Sequence, residues 1–292
     1  MFKDKIESFW SKNYKWIMCI PLTLLVISLV LIGIKTVQTG DFFNKDVSLR
    51  GGIAATIHTE KEVTDEEITS ALKVPSTIKR LGDRTTGKQL GFIIEVSDLN
   101  EEQLKEILTK KLNIELTEKT YSREITTPKL SQAFFKQLMI AILFAFILMG
   151  ISVFVTFRTF APSIAVIAAA LMDIIITLAI VNLIGLTVSV AGIVAFLLII
   201  GYSVDTDILL TNYAIRKKEG KLFDRMYHSM KTGLTMTACA MTVMTIGLIF
   251  SNSSVIKEMF LIILIALGID VLSTYLTNAG ILWIYCKKKG IS

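Results

Sequence analysis

Charge is scarce in this chain. Asp, Glu, Lys and Arg make up only 19% of its 292 residues against 52% hydrophobic ones, and the mean hydropathy is +0.60. Soluble domains carry about 25% charged residues, so the composition excludes that class and indicates a polytopic membrane protein. Cysteine is equally sparse. Cys19, Cys239 and Cys286 lie in or at the end of apolar runs at uncorrelated spacing, which excludes a disulfide framework and a zinc site and leaves packing as their role. His58 has no second histidine or cysteine nearby and reads as a surface strand residue. A Gly-x-x-x-x-Gly-Lys loop, a metal cluster and a Ser/His pair in a matching context are all missing, so the sequence points to no hydrolytic enzyme, no metal and no cofactor. No basic patch is interleaved with aromatics. The net charge of +6 and the pI near 9.1 come from Lys and Arg in short segments beside apolar runs, which argues against nucleic acid.

What the chain has in quantity is long apolar runs. A spanning helix needs about 20 mainly apolar residues, and six runs qualify: Trp16 to Ile34, Leu138 to Phe157, Ala161 to Leu183, Val188 to Ala214, Met230 to Phe250 and Met259 to Tyr285. The first has too long an apolar core for a cleaved signal and no small-x-small site after it, so it is expected to remain as an anchor. Lys3, Lys5, Lys12 and Lys15 precede it, and Arg158 lies between the second and third runs. Arg216, Lys217, Lys218, Lys221 and Arg225 lie between the fourth and fifth, and Lys287 to Lys289 follow the sixth. This pattern assigns those segments and both termini to the cytoplasm and reads the Lys-rich loop as a topology signal. The loops Asn182 to Thr187 and Ser251 to Lys257 are nearly uncharged, as expected outside; Asn252-Ser-Ser254 is a formal glycosylation sequon best taken as a chance match.

Three regions follow: residues 1–37, a cytoplasmic N-terminus and first span; 38–131, an extracytoplasmic domain; and 132–292, a five-helix bundle. The middle region, about 95 residues, is long enough to fold alone. Gly52 to Thr59 alternates as a strand, and Thr64-x-x-Glu67 is a capping box opening a helix through Lys73. Thr77 to Arg84 and Gln89 to Val96 flank a Thr-Thr-Gly-Lys turn. A second helix runs from an Asn100 cap to about Leu112, burying Leu104, Ile107, Leu108 and Leu112, and Thr117 to Ile125 reads as a last strand. The order βαββαβ predicts a ferredoxin-like sandwich.

Four carboxylates interrupt the apolar runs: Asp173, Asp205, Asp207 and Asp270. A charge at mid-bilayer costs roughly 2.5–3.5 kcal/mol, so such groups usually line a pathway, carry a proton or hold a partner. Asp173 stands roughly 18 Å along a helix entering from the cytoplasm, and Asp205 and Asp207 roughly 13–17 Å above Arg216, so the three share a level. Asp270 reaches a similar depth from the other side, followed by Ser273, Thr274 and Asn278. Asp205 and Asp207 are about 200° apart around a helix and cannot share a face. The competing reading is a neutral Asp hydrogen-bonded to neighbouring Ser or Thr as packing glue. Thr232, Thr235, Thr237, Thr242 and Thr245 read as helix-packing hydroxyls, and Gly192 and Gly201 as points of close approach or bending.

Three stretches resemble the SecD/SecF family of protein-export membrane proteins, in the resistance-nodulation-division superfamily, and within it the SecF branch in an archaeal wording. Asp46-Val-Ser-Leu-Arg-Gly-Gly-Ile53 resembles the family's Asp-Phe-x-Gly-Gly segment through Asp46, Gly51 and Gly52. Ala170-Leu-Met-Asp173 sits where the family has Leu-His-Asp. Gly201-Tyr-Ser-Val-Asp-Thr-Asp207 resembles Gly-Tyr-Ser-Ile-Asn-Asp-Thr through Gly201, Tyr202 and Ser203, and the spacing between the last two stretches also matches. The bacterial continuation with its Arg is replaced by Thr211-Asn-Tyr-Ala-Ile-Arg216, which leaves Arg216 as the candidate substitute.

The resemblance implies an α-helical polytopic protein of six transmembrane helices with a small α+β domain between the first two. It implies a role beside the Sec translocon, with a SecD-like subunit, a SecYE-type channel, unfolded secretory polypeptide and membrane lipid as partners, and ion coupling through Asp173 and Asp207 with Asp205 and Asp270. Two alternatives remain open at this point: a subunit of an efflux or lipid transporter, and a purely structural translocon assembly factor.

Overall fold

The computed structural model describes residues 2–59, 61, 63–74, 76–82, 89–97, 99–112, 114, 116–117, 120–217, 220–251 and 253–291, with side chains from residue 7 onward. A long helix α1 (Phe2–Thr39) leads to a single turn α2 (Val47–Arg50), β1 (Gly52–His58), α3 (Asp65–Leu72), β2 (Ser76–Gly82), β3 (Gln89–Val96), α4 (Glu101–Lys110) and β4 (Tyr121–Thr126). Then come α5 (Pro128–Phe157), α6 (Phe160–Leu183), α7 (Val190–Ile215), α8 (Leu222–Phe250) and α9 (Ser254–Leu272). A π-helical turn (Ser273–Asn278) joins α9 to α10 (Ala279–Lys288). Two compact units result: Lys45–Met139 with Val188–Val190, and Met1–Asn44 with Ile140–Thr187 and Ala191–Ser292.

In the first unit the four strands are all antiparallel, in the order β2-β3-β1-β4. Alternation puts Ile53, Ala55 and Ile57 of β1 and Phe92, Ile94 and Val96 of β3 on one buried face, in register as Ile53 with Val96, Ala55 with Ile94 and Ile57 with Phe92. Ile68 and Leu72 of α3 and Leu104 and Leu108 of α4, spaced four apart, join the same core. The capping box opens α3 as expected: the Thr64 hydroxyl accepts from Glu67 N at 3.3 Å and the Glu67 carboxylate from Thr64 N at 3.0 Å. At α4 the Gln103 side chain accepts from Asn100 N at 3.0 Å.

Some predicted boundaries move. β4 begins at Tyr121, not Thr117, because Thr117 N donates to the Thr120 hydroxyl at 2.8 Å and Tyr121 N to the Thr117 carbonyl at 2.9 Å, local bonds that replace sheet pairing. β1 stops at His58, which is exposed, and β2 runs Ser76–Gly82. Arg84 and the Thr-Thr-Gly-Lys turn lie outside the described residues, as do Asn252 of the sequon and Lys218 of the basic loop.

Among the described residues, five helices are long and apolar enough to cross a membrane: Glu7–Thr39 and α5, α6, α7 and α8. The sixth predicted run is not one regular helix but α9, the π turn and α10 in succession. Val153 and Met149 of α5 pack with Val166 and Ala170 of α6 and Ile200 and Val204 of α7. α1 lies against α6, the π turn and α10, and its end is fastened by Lys35, whose Nζ donates to Asn44 Oδ1 at 2.7 Å and Asn182 Oδ1 at 3.0 Å. Asn182 in turn donates to the Phe42 carbonyl at 2.9 Å.

Three packing expectations are corrected. Cys19 and Cys239 are exposed and only Cys286 is buried. Thr232 is half-buried and Thr235, Thr242 and Thr245 are exposed, and all four donate to carbonyls one turn back in α8 rather than to another helix; Thr237 alone of the set is buried. Arg225 is more than a topology signal, since it is 4% exposed and donates through Nη1 to the Lys217 carbonyl.

Candidate functional site

Asp270, Ser273, Thr274, Thr277 and Asn278 recur at intervals of three and four, which on a helix places them along one face. All five are buried. On α7, Ser203, Thr206, Asp207 and Thr211 form a similar buried stripe, and on α6 Asp173 is 0% exposed. The three polar stripes meet. Ser203 Oγ donates to Asp173 Oδ2 at 2.5 Å, and Ser273 Oγ donates to Asp173 Oδ1. Thr206 Oγ1 lies 3.2 and 3.1 Å from the two Asp270 carboxylate oxygens. Thr274 Oγ1 lies 2.8 Å from Asp207 Oδ1 and 3.2 Å from Asp270 Oδ1, and Asn278 Nδ2 donates to Asp207 Oδ1 at 2.7 Å.

Each hydroxyl has one proton and more than one acceptor. Ser273 also faces the Asp270 carbonyl at 3.1 Å, and Thr206 the Ser203 carbonyl at 2.8 Å. The donors must therefore choose, and which carboxylate is served depends on the charge each carries. Asp207 Oδ2 and Asn278 Oδ1 are buried acceptors with no hydrogen-bond partner among the described residues. No Lys or Arg lies within ion-pair distance of Asp173, Asp207 or Asp270 among those residues. Several buried negative charges without a counter-charge would be costly. The site accordingly demands added positive charge, which protons or a cation held by the carboxylate, hydroxyl and amide oxygens can supply.

The π turn shapes this site. Its i→i+5 bonding widens one turn of an otherwise α-helical run, a form frequent at functional sites, and it carries Ser273, Thr274 and Asn278, three of the five side chains that bond to Asp173 and Asp207 or bridge to Asp270.

Of the four carboxylates singled out from sequence, three converge and one does not. Asp205 is exposed on the opposite side of α7, together with Gly201 and Tyr202, and a Cβ added at Gly201 would meet nothing within 4 Å. Arg216 is also elsewhere: its Nη2 donates to the Thr156 carbonyl and its guanidinium stands 5.7 Å from the Phe157 ring centre. It is not a counter-charge to the cluster. Thr206 is the member that sequence reading missed, although its position three residues after Ser203 on the motif's buried face was a usable signal.

The family model described as "Protein export membrane protein SecD/SecF, C-terminal" matches residues 105–288. The chain belongs to the SecD/SecF family. Curated relatives include the protein-export membrane protein SecF of Methanothermobacter thermautotrophicus, 36% identical with 93% of this chain and 92% of that one covered. The SecF of Methanocaldococcus jannaschii is 33% identical, with 94% and 96% covered. Among solved structures, the translocon-associated SecDF of Thermus thermophilus superposes with a TM-score of 0.74 at 18% identity, covering 94% of this chain. This chain spans 38% of that SecDF chain, and the likeness shows the shared fold. Family membership together with five apolar helices makes this a multi-pass membrane protein.

The first family motif lies in the sheet-bearing unit and has an architectural part. Asp46 Oδ1 accepts from Ser48 N at 3.1 Å and caps α2, while its Oδ2 accepts from Lys79 Nζ at 2.9 Å. Gly51 and Gly52 take φ of +88° and +137°, conformations that favour glycine. Lys79 Nζ also donates to Glu95 Oε1 at 2.6 Å, where Glu95 is 6% exposed. Burial, then the nearby Asp46 charge, raises the Glu95 pKa, outweighing the pull of Lys79. Burial opposes the Lys79 charge, yet Asp46 and Glu95 together raise its pKa.

Proposed function

We propose that this chain is a SecF-type accessory subunit of the Sec translocon that couples an ion gradient to protein export through Asp173, Asp207 and Asp270. The observation that carries the reading is the hydroxyl-bridged cluster of three buried carboxylates without a counter-cation among the described residues. Loading the cluster with a proton or cation from one side and releasing it to the other changes buried charge by one unit. That change redirects the single protons of Ser273, Thr206 and Thr274 and tips the helices between two packings. No covalent chemistry is involved. A charge crossing 100 mV supplies about 2.3 kcal/mol and each pH unit about 1.4 kcal/mol, enough to move a two-state equilibrium on the order of 50- to 500-fold.

In this reading the run Ser254–Lys288 is a sixth span, both termini are cytoplasmic, and residues 38–131 form an extracytoplasmic domain on a ferredoxin-like plan. The β2-β3-β1-β4 order supports that plan. The domain engages unfolded secretory polypeptide beside a SecYE-type channel, while residues 132–292 form the bundle. A SecD-type partner is supported by Asp205, since a bare carboxylate on a lipid-facing helix costs roughly 2.5–3.5 kcal/mol and a second bundle packed over Gly201, Tyr202 and Asp205 removes that cost.

The test is late-stage translocation of a preprotein in sealed vesicles, with the gradient present or collapsed. Wild type should accelerate completion only with a gradient, and Asp173→Asn and Asp207→Asn should insert normally yet give no acceleration. Full stimulation by both variants would refute coupling at this cluster and leave a structural assembly factor.

A further inference from the structure

Between the carboxylate cluster and the α7–α8 loop, the contact of α7 with α8 carries polar groups that the cluster does not use. On α8 the buried residues Arg225, Ser229 and Gly233 recur every four positions and form one seam. A Cβ added at Gly233 would meet Tyr275 and Leu209, and Arg225 Nη1 donates to the Lys217 carbonyl. The antiparallel pair is therefore in register from Leu209 opposite Gly233 to Lys217 opposite Arg225. Ser229 falls opposite Tyr213, about 3 Å beyond Thr211 along α7. From Asp207 to the level of Lys217 the seam runs about 15 Å, at 1.5 Å per residue.

The polar atoms of this seam are unpaired. Thr211 Oγ1, Ser229 Oγ, Tyr275 Oη and the Nε and Nη2 of Arg225 have no hydrogen-bond partner among the described residues, like Asp207 Oδ2 and Asn278 Oδ1 at the cluster itself. Thr211 and Ser229 are 0% exposed. Other helical threonines of the chain, such as Thr156, Thr235 and Thr242, donate to the carbonyl four residues back; Thr211 and Ser229 make no such bond. The opposite side of the cluster differs. Phe196, Ile199 and Ile200 of α7 and Ile262, Ile263 and Ala266 of α9 are buried and apolar there, leaving Thr177 of α6 as the one buried unpartnered hydroxyl among the described residues on that side. Buried polar groups without partners cost free energy that contact with water restores. The helices accordingly part more readily along the seam than on the apolar side.

We propose that this seam is the release route of the coupling ion, and that this conformation is the one whose cluster opens toward the α7–α8 loop. The assignment rests on the coupling reading above, in which that loop is cytoplasmic. When α7 and α8 separate slightly, water solvates Thr211 and Ser229 and reaches the unpaired Asp207 Oδ2, where the ion departs. Arg225 stands at the mouth as a fixed positive charge. It opposes the return of a cation and favours the discharged, negative carboxylates above it. Its bond to the Lys217 carbonyl ties the two helix ends together and so limits how far the seam opens.

The test uses the full chain in the sealed vesicles of the translocation assay. In a C19A/C239A/C286A background, T211C, S229C and I199C are exposed to a membrane-impermeant ammonium thiosulfonate added on one side or the other. T211C and S229C should react at least about tenfold faster from the side of the α7–α8 loop, and I199C should stay slow from both. In the export assay, Thr211→Val and Ser229→Ala should lower the maximal stimulated rate severalfold and leave the ion concentration for half-maximal stimulation unchanged, because loading is untouched; Thr211→Ser should restore the rate. Arg225→Gln should raise the ion leak without preprotein severalfold, and Arg225→Lys should hold it near the wild-type level. Labelling of T211C at equal rates from the two sides, or undiminished maximal rates in both Thr211→Val and Ser229→Ala, overturns the route. Wild-type export indifferent to the gradient overturns the coupling reading and the release role together, whatever the labelling shows.

Discussion

The hydroxyl of Thr274 stands 2.8 Å from Asp207 and 3.2 Å from Asp270, so a single proton is placed between two buried carboxylates. When one of them is neutral the hydroxyl can serve the other, and the two sites are thereby linked. Thr274→Val removes the donor while keeping the shape. A hydrogen bond to a charged group is worth about 1.5–3 kcal/mol, so gradient-dependent export should fall roughly tenfold or more. Thr274→Ser should restore most of it. Equal activity of the Val and Ser variants in the vesicle assay would show that the hydroxyl has no part in coupling.

Gly201 and Asp205 make a different prediction because they face away from the cluster. Nothing lies within 4 Å of a Cβ at Gly201, so Gly201→Leu should leave the stability of this chain unchanged within about 0.5 kcal/mol. If a second bundle packs there, the added side chain prevents close approach, and co-purification of the SecD-type subunit should drop severalfold. Asp205→Asn should keep gradient coupling while altering that association. Undiminished recovery of the partner with Gly201→Leu would move the interface to another face.

How much of this was legible beforehand depends on the kind of signal. The sheet-bearing unit was readable because Ile53, Ala55 and Ile57 alternate and Thr64 with Glu67 form a local cap, patterns that need only neighbours in sequence. Asp173, Asp207 and Asp270 were readable because carboxylates in apolar runs are anomalous. The separation of Asp205 from Asp207 followed from helix geometry. What could not be read was the π turn, which no residue type announces, and hence the reach of Ser273 to Asp173 across 100 positions of sequence. Arg216 misled for a related reason: the motif supplied a role, and only packing against Thr156 and Phe157 shows that the side chain is engaged elsewhere.

Lys35 holds the end of α1 through Asn44 and Asn182, with distances of 2.7 and 3.0 Å. Lys35→Met keeps the aliphatic stem and deletes both bonds. The loss expected is about 1–3 kcal/mol, since two amide oxygens lose a charged donor, and thermal unfolding in detergent should shift down by a few degrees. A cysteine pair reporting the distance between α1 and α6 should broaden its cross-linking pattern in the variant and stay unchanged in wild type.

The Asp46–Lys79–Glu95 trio gives a pH-dependent prediction whose sign can be worked out. Lys79 has a pKa raised above the ordinary 10.5, so its contribution to stability is complete below that value and fades as pH rises through the folded one. Glu95 is raised above 4.5, so the folded state binds its proton more readily than the unfolded state. Its contribution is greatest at acid pH and falls as pH climbs through the raised value. Lys79→Met leaves two buried carboxylates facing each other. It should cost about 3 kcal/mol at neutral pH, the low end for a broken buried pair because the Lys79 side chain keeps 23% exposure. Part of that loss should return as pH falls, because burial and the Asp46 charge raise the Glu95 pKa and favour its protonation, and Lys79→Met with Glu95→Gln should recover stability at neutral pH and lose the pH dependence. Hydrogen exchange of the β3 amides across pH 5–8 reads this directly, and equal exchange in Lys79→Met at both ends of that range would rule out Glu95 protonation as the relieving step.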